Sequence, residues 1–333
     1  MSLARAIYEG EEFALEDVAD RVFTCTSCGN CERVCPIGLS PQQVNLSLRE
    51  LLVDNNAVPR ELMSRRSALL SGTDTTSYYA ADSTGKDTVA VPIEETLDLV
   101  DVLFLPGCDA ACDIPSEARD CLQIIQSINP ATTVLGSRDK CCGAALLELG
   151  FKGDGKSSQR ALGGEINVFP RLTTIIHMTP KCQQQLADDA RVVSFPGWLL
   201  ALVENDEVRI NPKSQRPKIS YLNTCNSGAW NNEALALLKT CGVAISNTNA
   251  GAGLTMCCGA GGGMPTMAPD SAARMANANL VEFADSADCG TVTVIADPNC
   301  LAHLSRSANS DAPANQILGL AGFLKTFFEF SRR

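Results

Sequence analysis

The hydrophobic and polar positions beyond residue 100 follow two periods in turn. Short apolar runs, such as VDVLFLPG at 100 to 107, are typical of buried strands. The segment SEARDCLQIIQSI, at 116 to 128, places its apolar residues on one helical face, and Ser116 is the predicted cap. Later segments repeat this order, which predicts mostly parallel sheets with functional residues on the loops that leave the strand ends.

This order of strands and helices occurs twice, because three cysteine motifs recur along the chain. FLPGCDAACD aligns with YLNTCNSGAW, KCCGAALLELG with MCCGAGGGMPT, and MTPKCQQQL with ADPNCLAHL. The offsets of 117, 116 and 118 residues separate Cys108 from Cys225, Cys142 from Cys258 and Cys182 from Cys300. Chance does not account for three matched motifs at one spacing, so we infer two copies of one α/β unit.

Another helix is predicted ahead of the two copies, within SPQQVNLSLRELLVDN. Ser40 is the expected cap and Pro41 the expected first helical residue. The predicted apolar face consists of Val44, Leu48, Leu51 and Leu52. Two polar segments, 71 to 88 and 204 to 218, are predicted linkers because they are rich in turn-forming or charged residues.

The composition narrows the classes of function. The net charge is −11, from 27 basic and 38 acidic side chains, and no basic stripe is interleaved with aromatics, so nucleic acid is not an expected partner. Apolar runs such as SFPGWLLALV fall short of the roughly 20 residues of a membrane span. The first residues lack the pattern of a secretory signal, so we expect a cytoplasmic protein, or one held on the inner face of the membrane by partners.

Sixteen cysteines are therefore the most informative feature of the composition. Cytoplasmic thiols are kept reduced, so this number indicates metal or redox chemistry rather than a disulfide framework. Four of the cysteines lie in TCTSCGNCERVCPIG, where C-x2-C-x2-C-x3-C-P is the spacing of bacterial ferredoxins. Cys25, Cys28 and Cys31 are predicted to hold one 4Fe-4S cluster.

The fourth ligand of this cluster has two alternatives. In two-cluster ferredoxins the fourth cysteine of each run serves the other cluster, but this chain has a single run. Either Cys35 binds through an unusual local path or a cysteine from elsewhere does, and the prediction favours Cys35. Zinc is the competing metal, although structural zinc sites usually pair two separated knuckles.

Each copy of the repeated unit offers another metal site. Adjacent cysteines followed by glycine at a strand end bring two thiolates together, because glycine allows a sharp turn there. One upstream and one downstream cysteine complete four thiolates per copy. The predicted ligands are Cys108, Cys141, Cys142 and Cys182 in the first copy and Cys225, Cys257, Cys258 and Cys300 in the second. Buried, reduced thiols without a metal are the alternative interpretation.

The remaining cysteines receive different interpretations. Cys112, four residues past Cys108, is a weaker candidate ligand. Cys121 and Cys241 fall on apolar helix faces and are predicted to be core residues, and Cys289 is also interpreted as structural.

Two histidines and one glycine run complete the candidates. His177 lies in an apolar strand and is predicted to belong to the core, whereas His303, close to Cys300, is a candidate for a role near the second site. GAGGGMP lacks the GK[ST] ending of a phosphate loop. Close approach of its backbone to a cluster is the favoured interpretation.

The segments PGC, CCGAALLELG and CCGAGGGMP resemble the paired cysteine-rich CCG domains of the heterodisulfide reductase family. That family includes catalytic subunits of heterodisulfide reductases and iron-sulfur subunits of systems that oxidise glycolate, lactate and glycerol 3-phosphate. The resemblance implies an α/β fold with two homologous, Rossmann-like CCG domains and mostly parallel sheets, at 89 to 205 and 219 to 333. A small helical ferredoxin-type module and its linker are expected at 1 to 88.

The resemblance also implies clusters in both copies, with one departure from the family pattern. In the disulfide-cleaving members each domain can hold a noncubane 4Fe-4S cluster on five cysteines. Here Thr179 and Asp297 stand where the family motif C-x-x-C has its first cysteine. Four thiolates per copy remain, so cubane and noncubane clusters are both open, and Asp297 is a weaker candidate ligand through its carboxylate.

Three functions follow as hypotheses. The first is the iron-sulfur subunit of a heterodisulfide reductase-type oxidoreductase, which relays electrons from the N-terminal cluster to the CCG domains and reduces a disulfide there. The second is a pure electron-transfer subunit of a flavin-dependent 2-hydroxy acid or glycerol-3-phosphate dehydrogenase complex that feeds the quinone pool. A structural protein with vestigial sites is the third. The chain lacks flavin and nicotinamide fingerprints, so a flavoprotein subunit, a membrane cytochrome subunit, or both are expected partners.

Overall fold

The computed structural model describes residues 2 to 11, 14 to 71, 97 to 213, 217 to 225, 228 to 248, 255 to 285, 292 to 308 and 316 to 333. The predicted linker at 71 to 88 lies outside the described residues, except for its first residue. Cys289 also lies outside them. The second predicted link, 204 to 218, contains the strand Val208–Pro212, so part of this segment belongs to a sheet.

The N-terminal region is helical, as predicted. Its helices in the described residues are α1 (Ser2–Tyr8), α2 (Leu15–Phe23), α3 (Asn30–Arg33), α4 (Pro41–Asp54) and α5 (Arg60–Leu70). The Ser40 side chain accepts a hydrogen bond from the backbone N–H of Gln43 at 3.3 Å, which confirms the predicted cap of α4. The predicted apolar face is partly wrong: Leu52 is buried, but Leu51 is exposed and Arg49 lies inside.

The first copy contains a parallel sheet with the strand order β2-β1-β3-β4. Its strands are β1 (Val102–Leu105), β2 (Thr132–Thr133), β3 (Thr174–His177) and β4 (Val192–Ser194). A 3₁₀ turn spans Gly136–Arg138, and the helices are α6 (Cys108–Asp113), α7 (Pro115–Ile128), α8 (Ala144–Glu148), α9 (Lys152–Ile166), α10 (Pro180–Gln185) and α11 (Phe195–Glu204). The predicted cap Ser116 is wrong, because Pro115 is suited to the first helical position and Ile114 precedes it as the cap.

The second copy repeats this arrangement with the parallel strand order β7-β6-β8-β9. Its strands are β6 (Ile219–Tyr221), β7 (Ile245–Thr248), β8 (Val292–Ile295) and β9 (Ile317–Gly319). Its helices are α12 (Gly228–Thr240), α13 (Met264–Met267), α14 (Pro269–Asp285), α15 (Pro298–Ser307) and α16 (Leu320–Phe327). The predicted α/β fold with two parallel sheets behind a helical region is therefore confirmed. In the described ranges, no helix combines the length and apolarity that a membrane crossing requires.

The two copies pack on each other through equivalent elements. Helix α11 of the first copy packs against α12 of the second, and α16 of the second packs against α7 of the first. Two strands that follow α11 and α16, β5 (Val208–Pro212) and β10 (Phe328–Arg332), pair antiparallel. One hydrophobic core runs through both copies and includes Phe104, Ile125, Tyr221, Leu237 and Phe323.

Two glutamates fix this packing from equivalent places. Glu117 on α7 accepts hydrogen bonds from the backbone N–H of Ala321 at 2.6 Å and of Gly322 at 2.9 Å, at the start of α16. Glu233 on α12 accepts a hydrogen bond from the hydroxyl of Ser194, the cap of α11. Burial raises the pKa of Glu117 to about 7, although its two N–H donors favour the charged form.

Candidate metal centres

The predicted cysteines of the first copy meet at the carboxyl edge of its sheet. Cys108 begins α6 directly after β1, Cys141 and Cys142 precede α8, and Cys182 lies on α10. The Sγ atoms of Cys142 and Cys182 are 3.2 Å apart, and the Cys141 Sγ accepts the Gly143 N–H at 3.3 Å. The fold therefore brings these four side chains to one end of the strands, as the sequence predicts.

Hydrogen bonds between these thiols shift their pKa values in opposite directions. Hydrogen bonds from Cys108 and Cys142 lower the pKa of Cys141, although burial opposes this effect. The same bonds, together with burial, raise the pKa values of Cys108 and Cys142 well above the ordinary value. Cys141 is thus the favoured thiolate of the first copy, with its neighbours as donors.

Thr179, which stands where the family motif has a cysteine, has a structural role. Its hydroxyl donates to the carbonyl oxygen of Pro106 at 3.1 Å, and the side chain is buried. Gly107, which has a φ of 79°, leaves space for this side chain: a Cβ atom there would collide with the Thr179 hydroxyl. Thr179 therefore supports the loop that carries Cys108. Cys112, the weaker candidate ligand, lies exposed on α6.

The second copy places its cysteines equivalently. Cys225 follows β6, Cys257 and Cys258 precede α13, and Cys300 lies on α15. The Sγ atoms of Cys258 and Cys300 are 3.0 Å apart, and the Cys257 Sγ accepts the Gly259 N–H at 3.4 Å. A hydrogen bond from Cys300 lowers the pKa of Cys258.

Asp297 lies beside this second set. Its Oδ1 accepts the N–H of Asn299 at 3.0 Å and so caps α15, and the residue is buried. Its negative charge contributes to a raised pKa of Cys300, after a hydrogen bond with Cys258 and burial. A carboxylate therefore stands close to the second thiol set, whereas a hydroxyl stands at the equivalent place in the first.

The N-terminal cysteine run forms a loop between α2 and α4. The Cys25 Sγ accepts the Ser27 N–H at 3.4 Å, and the Cys35 Sγ accepts the Leu39 N–H at 3.2 Å. Partial burial and the charges of Cys25 and Cys28 raise the pKa of Cys31. The first three cysteines therefore interact with one another, while Cys35 lies in a turn beyond α3.

This loop docks directly on the second copy. The Cys257 Sγ is 3.3 Å from the Thr26 Oγ1, and Cys28 forms a hydrogen bond with Cys257 that, with burial, raises the pKa of Cys28. The side-chain amide of Asn30 donates to the Thr255 carbonyl oxygen at 2.8 Å. The structure thus joins two cysteine sets that the sequence treats as separate.

The glycine run explains how the backbones come so close. A Cβ atom on Gly261 would collide with the carbonyl oxygen of Thr26, and one on Gly262 would collide with that of Cys25. Gly263 has the same relation to the Phe23 carbonyl oxygen. The close approach expected of this run is therefore to the backbone of the N-terminal cysteine loop.

Arg49 is the main residue that the sequence patterns missed. Its guanidinium donates to the Cys25 carbonyl oxygen at 2.7 Å, to the Ser27 hydroxyl at 3.0 Å and to the Glu148 carbonyl oxygen at 2.7 Å. The residue is 1% exposed, and its guanidinium also donates to the Val22 carbonyl oxygen at 3.2 Å and lies over the Phe23 ring. A charged residue one turn before Leu52, beside the apolar face of the helix, was the available signal.

Glu148 and Lys181 join the first copy to the same junction. The Glu148 carboxylate accepts hydrogen bonds from the Lys181 ammonium at 2.7 Å and from the Gly262 N–H at 3.1 Å. Burial opposes the charge of Lys181, but Glu148 and Asp109 outweigh it and raise the pKa of the ammonium. A cavity of about 370 Å³ lies alongside this pair, with Ser27 of the cysteine loop on its wall.

The two histidines differ in their surroundings. His177 is fully buried against the Trp230 ring, with 5.5 Å between centroids, and its Nδ1 bonds the Thr179 carbonyl oxygen at 3.1 Å. Burial lowers the pKa of His177 to about 4, so it is a neutral core residue. The Nε2 of His303 bonds the Ala272 carbonyl oxygen at 3.2 Å. Cys121 and Cys241 are buried, as predicted.

The donor chemistry at these places fits iron-sulfur clusters. Thiolates are soft ligands that iron-sulfur clusters prefer, and backbone N–H groups aimed at sulfur stabilise their charge. Such N–H donors reach Cys25, Cys35, Cys141 and Cys257. Within the described residues, three or more His, Cys, Asp or Glu side chains nowhere converge on a site for one metal ion.

Comparison with known proteins identifies relatives of both copies. The model of the CCG cysteine-rich domain matches residues 102–187 and 220–305, just over half of the chain. One component of the dihydromethanophenazine:CoB–CoM heterodisulfide reductase of Methanosarcina barkeri is 22% identical over 282 residues, which cover 80% of this chain and 68% of that protein. The same component from Methanosarcina acetivorans is 22% identical over 288 residues, 82% of this chain and 70% of the relative. A probable membrane-anchored ferredoxin from Chromohalobacter salexigens is 21% identical over 280 residues, 77% of this chain and 40% of the relative.

Proposed function

This chain belongs to the family of proteins with the CCG cysteine-rich domain, and we propose that it is the iron-sulfur subunit of a heterodisulfide reductase-type oxidoreductase. In this role it relays electrons between an N-terminal 4Fe-4S cluster and clusters in the two CCG domains. The clusters supply one-electron transfer, and the polypeptide supplies their thiolates and sets their separation.

The contact between the N-terminal cysteine loop and the second copy carries this proposal. The 3.3 Å separation of the Cys257 Sγ and the Thr26 Oγ1 places two predicted thiolate sets against each other without an intervening layer of protein. Electron relay requires closely spaced redox groups. A cysteine run that merely stabilised its own module would not need this contact, which Arg49 and the glycine run also support.

The proposed ligands follow the three thiol sets. Cys25, Cys28 and Cys31 hold the N-terminal cluster, with a fourth thiolate from Cys35 or from across the domain interface. The first copy offers Cys108, Cys141, Cys142 and Cys182, and the second offers Cys225, Cys257, Cys258 and Cys300. Asp297 is a weaker candidate because its carboxylate adjoins the second set, and Cys112 is another because it lies one helical turn from Cys108.

A relay also requires a donor and an acceptor. The chain carries no recognisable flavin or nicotinamide motif, and the named relative is one subunit of a reductase. We therefore propose a complex with a flavoprotein subunit, a membrane cytochrome subunit, or both. Such a complex places this chain in the cytoplasm or on the inner face of the membrane.

Disulfide reduction is a second candidate activity, and the cavity of about 370 Å³ favours it. Its walls include Ser27, Ala144 and Lys181, which lie within two residues of Cys28, Cys142 and Cys182 in the sequence. A disulfide bound there would take up two electrons and two protons as its S–S bond breaks, and two thiols would leave. The electrons would come from the partner through the relay.

Anaerobic purification followed by redox titration under electron paramagnetic resonance (EPR) tests both functions. A relay subunit contains iron and acid-labile sulfide and shows more than one titrating signal. Protein free of iron and sulfide after anaerobic reconstitution would overturn the relay. Adding the relative's substrate disulfide, or its component thiols, distinguishes the candidates, because only a disulfide-reducing site changes its signal on binding.

A further inference from the structure

We propose that Cys257, a residue of the second copy, supplies the fourth thiolate to the cluster held by Cys25, Cys28 and Cys31. This assignment rests on the proposed function, since it requires that the N-terminal run holds a cluster. It replaces Cys35, which the cysteine spacing favours as the fourth ligand, with a residue across a domain interface.

The N-terminal loop carries three cysteines at short spacing. Cys25, Cys28 and Cys31 lie between α2 and the end of α3. A 4Fe-4S cluster in a ferredoxin takes four thiolates. A cluster held by these three cysteines therefore needs one more donor.

Cys35 lies in a turn of its own, past the end of α3. Its carbonyl oxygen accepts the Gly38 N–H at 3.2 Å, which closes the turn at 35 to 38. In two-cluster ferredoxins the cysteine at this place of the run likewise serves a cluster other than that of its three predecessors.

Cys257 stands where the donor is required. Its Sγ lies 3.3 Å from the hydroxyl of Thr26, the residue directly after Cys25, and it hydrogen-bonds the Cys28 thiol. Only 8% of Cys257 is exposed, so solvent has little access to this position. Its side chain thus contacts the loop at Thr26 and Cys28.

The interface that presents Cys257 is closely fitted. Gly262 has a φ of 60° and lacks space for a Cβ atom against the Cys25 carbonyl oxygen, which also accepts the Arg49 guanidinium. Asn30 binds the backbone at Thr255, two residues before Cys257. Contacts on both sides of the thiol therefore fix the loop against the second copy.

The equivalent residue of the first copy behaves differently. Cys141 takes part in hydrogen bonds with Cys108 and Cys142 of its own copy, whereas Cys257 bonds Cys28 as well as Cys225. The first copy consequently keeps four thiolates. The second keeps Cys225, Cys258 and Cys300, with Asp297 adjoining them.

Serine variants of the full-length chain, prepared anaerobically and reconstituted with iron and sulfide, test this assignment. Cys25→Ser identifies the EPR signal of the N-terminal cluster as the one that it abolishes. We expect Cys257→Ser to lose that signal or convert it to a three-iron signal, with a matching loss of iron. Cys35→Ser should retain the signal, and so should Cys141→Ser, the matched variant of the first copy.

Loss of the N-terminal signal in Cys35→Ser, or its retention in Cys257→Ser, would overturn the proposal. Absence of iron and sulfide from the reconstituted wild-type chain is a separate result, which would overturn the proposed function itself. Circular dichroism of the iron-free variants before reconstitution identifies any variant whose signal is lost through unfolding.

Alkylation of the wild-type chain gives a second measurement that needs no substitution. Iodoacetamide is applied to iron-free and to reconstituted protein, and mass spectrometry quantifies modification of Cys35. We expect equal modification in both samples, with the N-terminal EPR signal intact in the reconstituted one. Protection of Cys35 in the reconstituted sample alone would show that Cys35 is the ligand and would overturn the proposal.

Discussion

The first and second cysteine sites share a fold but differ in what surrounds them. In both copies a cysteine after the first strand, a Cys-Cys-Gly triplet and a cysteine on a later helix meet at the carboxyl edge of a parallel sheet. The hydrogen bonds of Cys141 remain within the first copy, whereas those of Cys257 extend to the N-terminal cysteine run. Duplication of the fold has therefore not produced two equivalent sites.

The difference lies in the residues that follow the triplet. The first copy continues with AALLE, which forms α8, and the second continues with AGGG, which lies under the N-terminal loop. Side chains at the three glycines would exclude the loop. Local sequence after the triplet thus decides which cysteine set contacts the N-terminal cysteine loop, and in our proposal it decides the path of electrons.

The largest expected effect comes from removing the buried cation at this junction. Arg49→Met leaves the carbonyl oxygens of Cys25 and Val22 without their donor, so we expect unfolding free energy to fall by about 4 kcal/mol. Chemical denaturation measures this change. Arg5→Met, which removes an exposed pair with Glu9, is the matched control and should change stability by less than about 1 kcal/mol. Equal losses in both variants would contradict a special role for Arg49.

A second prediction concerns Glu117, whose carboxylate joins α7 of the first copy to the start of α16 of the second. The pKa of Glu117 rises from 4.5 to about 7 in the folded chain, so folding favours its protonated form. This contribution is fully present below pH 4.5 and is lost as the pH rises through about 7, by at most about 3 kcal/mol. Glu117→Gln, which cannot ionise, should be less sensitive to pH over this window. Parallel stability profiles of variant and wild type would refute the prediction.

Crowding the glycine run should have an intermediate effect. Gly262→Ala places a methyl group against the Cys25 carbonyl oxygen at a positive φ, so we expect a loss of about 2 kcal/mol and a weaker N-terminal EPR signal. Gly153→Ala is the matched control, because a Cβ atom there meets nothing within 4 Å. That control lies in α9 and should be neutral or slightly stabilising. A neutral Gly262→Ala would mean that the loop does not pack on the second copy in this way.

The smallest expected effect comes from an ion pair that also crosses between the copies. The Lys325 ammonium is 2.6 Å from an Asp120 carboxylate oxygen, but both side chains are partly exposed. Lys325→Ala should therefore cost only about 0.5 kcal/mol, which thermal unfolding measures, and the cost should shrink further at high salt. A loss as large as that of Arg49→Met would show that the copies depend on surface charge more than on their shared core.

The repeated pattern of the chain predicted much of the fold. The three cysteine offsets indicated two copies, and the apolar periods indicated elements such as β1 and α7, because both signals are local or regular. The cap at Ser40 was also predictable, since Pro41 follows it directly. Ser116 failed as a cap because Pro115 already begins the helix, and a proline at the first helical position outweighs a serine after it.

The junction between the cysteine sets was not predictable from these patterns. Thr26 and Cys257 are 231 residues apart, and neither periodicity nor spacing relates them. Arg49 lies beside the face assigned to apolar residues, and the carbonyl oxygens that make its burial possible belong partly to a distant loop. The proposed ligand sets of the two copies come from the motifs, whereas the contact of one set with the N-terminal run depends on tertiary packing.

The packing of α11 on α12 and of α16 on α7 also limits how the protein can be divided into fragments. Tyr221 and Phe323 of the second half complete a core that Phe104 and Ile125 of the first half begin. A fragment that stops after α11 would expose that apolar surface to water, at about 25 cal/mol for each square ångström uncovered. Each half is thus the other's folding partner, and an isolated half should self-associate or remain unfolded.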